Sequence, residues 1–92
     1  MIKSFRCRET EKLFNAGRSR RFQNIERIAT RKLEVLNAAI SLSELAITPA
    51  NELEHLKGDR NDQYSIRINR QWRICFEWHG QDAERVEIVD YH

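Results

Sequence analysis

The sequence predicts an α+β fold, an antiparallel-rich sheet with helices packed on one face. Three observations lead there. Apolar residues in the first half recur at three- and four-residue steps, the period of a helix face. Residues 64–78 instead alternate apolar and polar, the period of a half-buried strand. The order is a short strand, then helices, then several strands in succession, which suits helices gathered on one side of a sheet better than alternating βα units.

Met1 to Phe5 alternates and is expected to form a short strand at the sheet edge. Arg8 to Ala16 reads as a helix that buries Leu13 and Phe14, with Gly17 placed as its C-terminal cap. After the basic connection Arg18-Ser19-Arg20-Arg21, in which Ser19 is the candidate cap, a long helix is predicted from Arg21 to Ala39. Phe22, Ile25, Ala29, Leu33, Leu36 and Ile40 draw its apolar stripe. The opposite face carries Arg20, Arg27, Arg31 and Glu34, which reads first as solvated charge and second as a docking surface for an acidic partner or RNA. Ser41-Leu42-Ser43-Glu44 has the pattern of a capping box, and Pro49 ends the short helix that follows. Two strands come next. Tyr64, Ile66 and Ile68 share one face of the first, and Trp72, Ile74, Phe76 and Trp78 share one face of the second. A three-residue loop, Asn69-Arg70-Gln71, lets both sets face one core by pairing Ile68 with Trp72 and Ile66 with Ile74. His79-Gly80-Gln81-Asp82 is a polar turn, and Glu84 to Val89 forms the last strand with Val86 and Ile88 inward.

The chain of 92 residues supports one domain, residues 1–92, with a single modest core. A formal net charge of +2 excludes a polycationic tail, so any nucleic-acid site must come from local clustering. Cys7 and Cys75 match no metal-ligand spacing and read first as reduced thiols of a cytosolic protein, with one disulfide as the alternative. No apolar run approaches the roughly 20 residues of a membrane span, and Met1-Ile2-Lys3-Ser4-Phe5 lacks the apolar region of a signal peptide. The expected location is therefore the cytoplasm. Gly-rich phosphate loops, HExxH and zinc spacings are all missing, so neither a metal nor a cofactor is expected.

The hairpin register carries a second consequence. It sets Arg67 directly opposite Arg73, and like charges so placed destabilise a sheet by some fraction of about 1 kcal/mol. Removing Arg73 is on this ground expected to leave the fold intact. Lys57 and Arg60 lie just upstream, Arg70 sits in the loop, and Glu77 is the one carboxylate expected on that face. An anion would relieve the conflict, and phosphate is the leading candidate. Lys57 suits it as a point charge and Arg73 as a two-pronged donor. The ending Asp90-Tyr91-His92 sets a carboxylate, a phenol and an imidazole directly after a core strand. Termini often carry no function, but these three are tethered to the sheet. Asp59 reads as turn chemistry, and Tyr64 as either core or a base-stacking platform.

Leu56-Lys57-Gly58-Asp59-Arg60, Ser65-Ile66-Arg67-Ile68-Asn69, Gln71-Trp72-Arg73-Ile74-Cys75-Phe76 and Val86-Glu87-Ile88-Val89-Asp90-Tyr91-His92 together resemble the HigB toxins of the RelE/ParE superfamily, from type II toxin–antitoxin modules. The resemblance runs over the whole chain. It implies a RelE-like twisted sheet and a ribosome-dependent mRNA endonuclease that cuts in the decoding site and stops translation. It also implies neutralisation by a HigA-type helix-turn-helix antitoxin, through which alone the module touches operator DNA. By position, the active-site set it implies is Lys57, Arg73, Asp90, Tyr91 and His92, with Arg60, Arg67 and Arg70 left to hold RNA. Some HigB toxins carry a His three residues before the motif Lys. Here that position is Glu54, and the His stands one place later at His55. One step along a strand turns a side chain to the other face, so Glu54 is the candidate substitute.

The reaction expected is attack of the ribose 2′-hydroxyl on the adjacent phosphorus, with Arg73 and Lys57 stabilising charge on the non-bridging oxygens. His92 suits the acid, Asp90 would orient His92 or Tyr91, and Glu54, Tyr91 or a ribosomal group would be the base. Two rivals share the fold: a ParE-like gyrase inhibitor, and a non-catalytic module that binds RNA or antitoxin through Arg67, Arg70 and Arg73.

Overall fold

A computed structural model of the protein describes residues 1–91. Helices α1 (Arg8–Ala16), α2 (Glu26–Ala38) and α3 (Leu42–Ile47) precede strands β1 (Glu54–His55), β2 (Gln63–Arg67), β3 (Trp72–His79) and β4 (Asp82–Asp90). The strands form one antiparallel sheet in the order β1-β2-β3-β4. Among the described residues no helix is long and apolar enough to cross a membrane.

Helix α1 ends as expected. Gly17 takes the left-handed conformation (φ 72°), which costs glycine little, and its N–H reaches the Leu13 carbonyl at 2.8 Å. The expected single helix from Arg21 to Ala39 is two segments. Arg20–Ile25 is a 3₁₀ stretch in which Phe22 leaves helical dihedrals (φ −110°, ψ 27°), and α2 begins only at Glu26. The break turns Phe22 fully into the core, edge-on to Trp72 with ring centroids 5.6 Å apart. Ser19 does not cap this stretch. Its hydroxyl donates to Glu9 Oε1 (2.8 Å) and its N–H to Glu26 Oε2 (3.2 Å), so it pins α1 to α2. Ile40 is not part of the buried stripe either. The chain turns extended at Ala39, so Leu36 and Ala39 close the core and Ile40 is exposed.

The cap on α3 forms, with Ser41 Oγ accepting from the Glu44 N–H at 3.2 Å. The Glu44 carboxylate returns to the Ile40 N–H rather than to that of Ser41. Pro49 then opens a 3₁₀ turn, Pro49–Asn51, held by a buried side chain: Asn51 donates to the Leu45 carbonyl (2.9 Å) and accepts from Lys32 Nζ (2.7 Å).

In the sheet the expected register is present, with Ile66 opposite Ile74 and Arg67 opposite Arg73. Asn69 fixes the turn. Its side-chain oxygen accepts from the N–H groups of Gln71 (2.8 Å) and Trp72 (2.9 Å), an Asx turn that stands in for backbone pairing. Ile66, Ile68, Ile74 and Phe76 are buried against Leu13, Phe22, Leu33 and Leu36, and Tyr64, Trp72 and Trp78 pack at the margin. Strand β4 carries one extra residue between its pairings of Glu87 with Cys75 and Glu84 with Glu77. Arg85 absorbs it at φ 52°, which lets Ala83, Val86 and Ile88 all point inward. The N-terminus joins this edge by two isolated parallel bridges, Ile2 to Ala83 and Phe5 to Val86, where a strand was expected. The bulge interrupts any longer ladder, and Ser4 Oγ accepts the displaced Arg85 N–H at 2.9 Å.

Candidate active site

Cross-strand neighbours share a face, so the register sorts the polar residues. On the side away from the helices, Glu54, Ser65, Cys75 and Glu87 form one row across the four strands, and Arg67, Arg73 and Val89 form the next. Arg73 lies at the centre and is buried, only 7% exposed. Its Nε donates to Ser65 Oγ at 2.8 Å, and its Nη2 donates to the Glu52 carbonyl and pairs with Glu54 Oε1 at 3.2 Å. The Tyr91 ring lies over it, its centroid 5.8 Å from Cζ, with the Tyr91 N–H bonded to the Gln71 carbonyl at 2.5 Å. A bare arginine was expected here; the structure shows one fixed on three sides.

The expected shortage of carboxylates does not hold. Arg67 pairs with Glu52 (3.1 Å), Arg73 with Glu54 (3.2 Å) and Arg60 with Glu87 (3.1 Å). Repulsion between Arg67 and Arg73 is therefore relieved inside the chain. Glu52 can serve both because it follows the Pro49–Asn51 turn in the left-handed conformation (φ 43°), which aims its carbonyl at Arg73 while its carboxylate reaches Arg67. The burial of Arg73 also reverses the expectation that the fold would not miss it. Its removal leaves Ser65, fully buried, without its partner.

Glu52, Arg67, Asn69, Arg70, Arg73 and Tyr91 line an open groove of about 480 Å³ at the hairpin end of the sheet. Arg70 is exposed at the tip of the turn. Glu54 belongs to this side, whereas His55 pairs with Tyr64 across β1–β2 and stacks on its ring at 4.7 Å, away from Arg73. The one-step shift of the histidine thus has the geometric result expected of it. Tyr64 is half-buried at the margin of the core, packed between His55 and Phe76. Asp90 is opposite Trp72 in the ladder, which turns it to the other side of the sheet from Arg73, and it accepts from Gln71 Nε2 at 3.2 Å. His92 lies outside the described residues.

With this geometry in hand, comparison with known proteins is direct. Residues 3–92 match the family described as the RelE-like toxin of type II toxin–antitoxin system HigB. The chain belongs to this family. It is 35% identical to "Endoribonuclease HigB" of Proteus vulgaris, with both chains covered in full. It is 47% identical to "Toxin HigB-1" of Vibrio cholerae over 55 residues, 60% of this chain and 58% of that protein. A Haemophilus influenzae protein, 32% identical, is likewise covered over 64% of its length. Among solved structures, YafQ from Escherichia coli BL21(DE3) superposes with a TM-score of 0.55 over 94% of this chain and 91% of its own, at 9% identity, which speaks to fold alone.

Besides Asp90, two more residues expected at the site, Lys57 for the active site and Arg60 for holding RNA, stand apart from the groove. Lys57 is exposed just before the 3₁₀ turn Gly58–Arg60, with no ion pair to a described residue. Arg60 bridges Gln63 Oε1 (3.0 Å) and Glu87 Oε1 (3.1 Å), and its bond to Glu87 raises its pKa further. Cys75 stands beside Glu87 in the ladder and is fully buried, which pushes its thiol up to about 11 and removes it as a nucleophile near neutral pH. Among the described residues no group of three or more His, Cys, Asp or Glu is arranged to hold a metal. Sequence reasoning missed Ser65 and Glu52. The signal for Ser65 was a small polar residue on the row beside two opposed arginines. Glu52 left none, because its reach depends on a backbone turn.

Proposed function

We propose that this chain is a type II toxin that cuts mRNA in the decoding site of the ribosome, and that an antitoxin of the HigA helix-turn-helix type neutralises it. The observation that carries the reading is Arg73: a buried guanidinium, oriented by Ser65, Glu52 and Glu54, beside a groove that also holds Arg67, Arg70 and Tyr91. A preorganised donor of this kind suits the charge that builds on the non-bridging oxygens of a phosphodiester in attack. The ribose 2′-oxygen bonds to phosphorus as the bond to the 5′-oxygen breaks, leaving a 2′,3′-cyclic phosphate. Glu54, paired with Arg73 yet half exposed, takes the 2′-hydroxyl proton. His92 returns a proton to the departing 5′-oxygen, a role that suits an imidazole of ordinary pKa about 6.5. Neither step needs a metal. Tyr91 covers Arg73 and stacks against it.

Size and charge support the ribosome dependence of this reading. Non-specific hold on RNA scales with the number of phosphates neutralised, and a net charge of +2 with three of the sheet arginines already paired leaves little for free RNA. The test is single-turnover cleavage of mRNA on programmed ribosomes beside the same mRNA alone. Cleavage is expected on the ribosome, poorly off it, and crippled by Glu54→Gln or by deletion of His92. Efficient cutting of naked RNA at physiological salt overturns the ribosome requirement, and near-normal cutting by the His92 deletion overturns the acid assignment.

A further inference from the structure

Glu52 holds the two opposed arginines in different ways. Its backbone carbonyl accepts from Arg73, which is buried; its carboxylate pairs with Arg67, where both side chains face solvent, 36% exposed for Arg67 and 53% for Glu52. We propose that the Glu52 carboxylate is a stand-in for a substrate phosphate: it keeps Arg67 at an anion-binding position while the groove is empty and yields it to RNA. The inference rests on the proposed function and adds to it that Arg67, in the groove beside Arg73, receives a phosphate of the mRNA.

The physical case is an exchange of one anion for another. Two arginines opposite one another repel, so in the empty site Arg67 without a partner would swing into solvent. An exposed carboxylate at 3.1 Å holds it in place at small energetic gain, which is what lets a phosphate replace it. Arg73 does not take part in this exchange, because Glu52 reaches it only through the backbone carbonyl and its own carboxylate partner is Glu54, at 3.2 Å. Glu52 is therefore a positioning residue whose carboxylate competes with substrate at Arg67 and not at Arg73. The left-handed backbone at Glu52 keeps the two functions separable, since the carbonyl stays in position whatever the side chain does.

The experiment is a two-residue cycle, Glu52→Gln, Arg67→Ala and the double variant, with kcat and KM for mRNA on programmed ribosomes. Glutamine preserves size and backbone and removes the competing charge. Glu52→Gln should lower KM by about two- to five-fold, the range of an exposed ion pair, with the change in KM and not in kcat. In the Arg67→Ala background the same substitution should do nothing. A KM that is unchanged or raised by Glu52→Gln overturns the proposal, as does a fall in kcat. An equal drop in KM in both backgrounds also overturns it, because the effect would then be bulk charge. Failure of the underlying reading looks different: Arg67→Ala alone would leave KM untouched.

Discussion

The two faces of this small protein carry arginines in opposite conditions. On the sheet face Arg60, Arg67 and Arg73 each have a carboxylate partner within 3.2 Å. On the helix face Arg20, Arg27 and Arg31 are exposed, and none forms an ion pair with a described residue. Two carboxylates on the helix side, Glu9 and Glu26, both bond to Ser19. From charge alone the helix face would look the better anion site. The difference lies in order. A free arginine must give up as much as about 2 kcal/mol of side-chain entropy to fix itself on a ligand, whereas Arg73 is already fixed. On the proposed reading paired charge marks the centre of the site, with Arg70 at its rim forming no ion pair to a described residue, and the unpaired charge of the helix face marks solvated surface.

The sharpest way to break that contrast is at Arg73. Arg73→Ala should lower cleavage on programmed ribosomes about 100- to 1000-fold, the range for loss of one preorganised donor. It should also cost about 1–3 kcal/mol of stability, because Ser65 loses its partner in a buried place. Thermal melts beside kinetics separate the two. Arg73→Lys keeps the charge and loses the fork that spans Ser65, Glu52 and Glu54. Full cleavage by the lysine variant would mean that charge, not fixed geometry, makes the site.

The fold was legible in the sequence where periodicity speaks. Ile66, Ile68, Trp72, Ile74 and Phe76 set the hairpin register through the strand period of two. The helix break at Phe22 was not legible, because Phe22 and Ile25 are three apart and that step fits a 3₁₀ turn as well as an α-helix. The candidate site divides in the same way. Arg67 facing Arg73 follows from register. The carboxylates that answer them come from a 3₁₀ turn and a two-residue strand, segments too short for any period, and Glu52 reaches both only through a left-handed backbone. Repulsion across the ladder announced that an anion was needed; it could not say that the chain supplies its own.

Arg60 offers an intermediate case on the sheet face. It joins Gln63 to Glu87, the neighbour of Cys75 across β3–β4. With the thiol pushed up to about 11 and buried, alkylation at pH 8 should be slow in the folded protein. In a Cys7→Ser background, which removes the other free thiol, Arg60→Ala should slow labelling of Cys75 further, because the Arg60 cation is what partly offsets the rise of the thiol, while lowering cleavage far less than Arg73→Ala. Faster labelling would show that Arg60 acts on this thiol as a cover rather than as a charge. A loss of cleavage equal to that of Arg73→Ala would move Arg60 into the site proper.

The smallest effect should come from the helix face. Arg31 is exposed on α2, one turn beyond Arg27, with the exposed Ile28 on the adjoining surface. Neither arginine has an ion pair to lose, and alanine is the better helix former of the two by a small margin. Arg31→Ala and Arg27→Ala should therefore change stability by no more than about 0.5 kcal/mol, as is usual for surface positions without a named partner. Cleavage on programmed ribosomes should be unaltered as well, since both side chains lie across the core from Arg73 and its groove. The same two variants ask whether the helix face meets anything else. Weakened ribosome association with kcat intact would make it a docking surface for RNA, and weakened antitoxin binding with full toxicity would make it a protein interface. Either outcome would end the claim that unpaired charge on the helix face is merely solvated; unchanged values in all three measurements are what that claim requires.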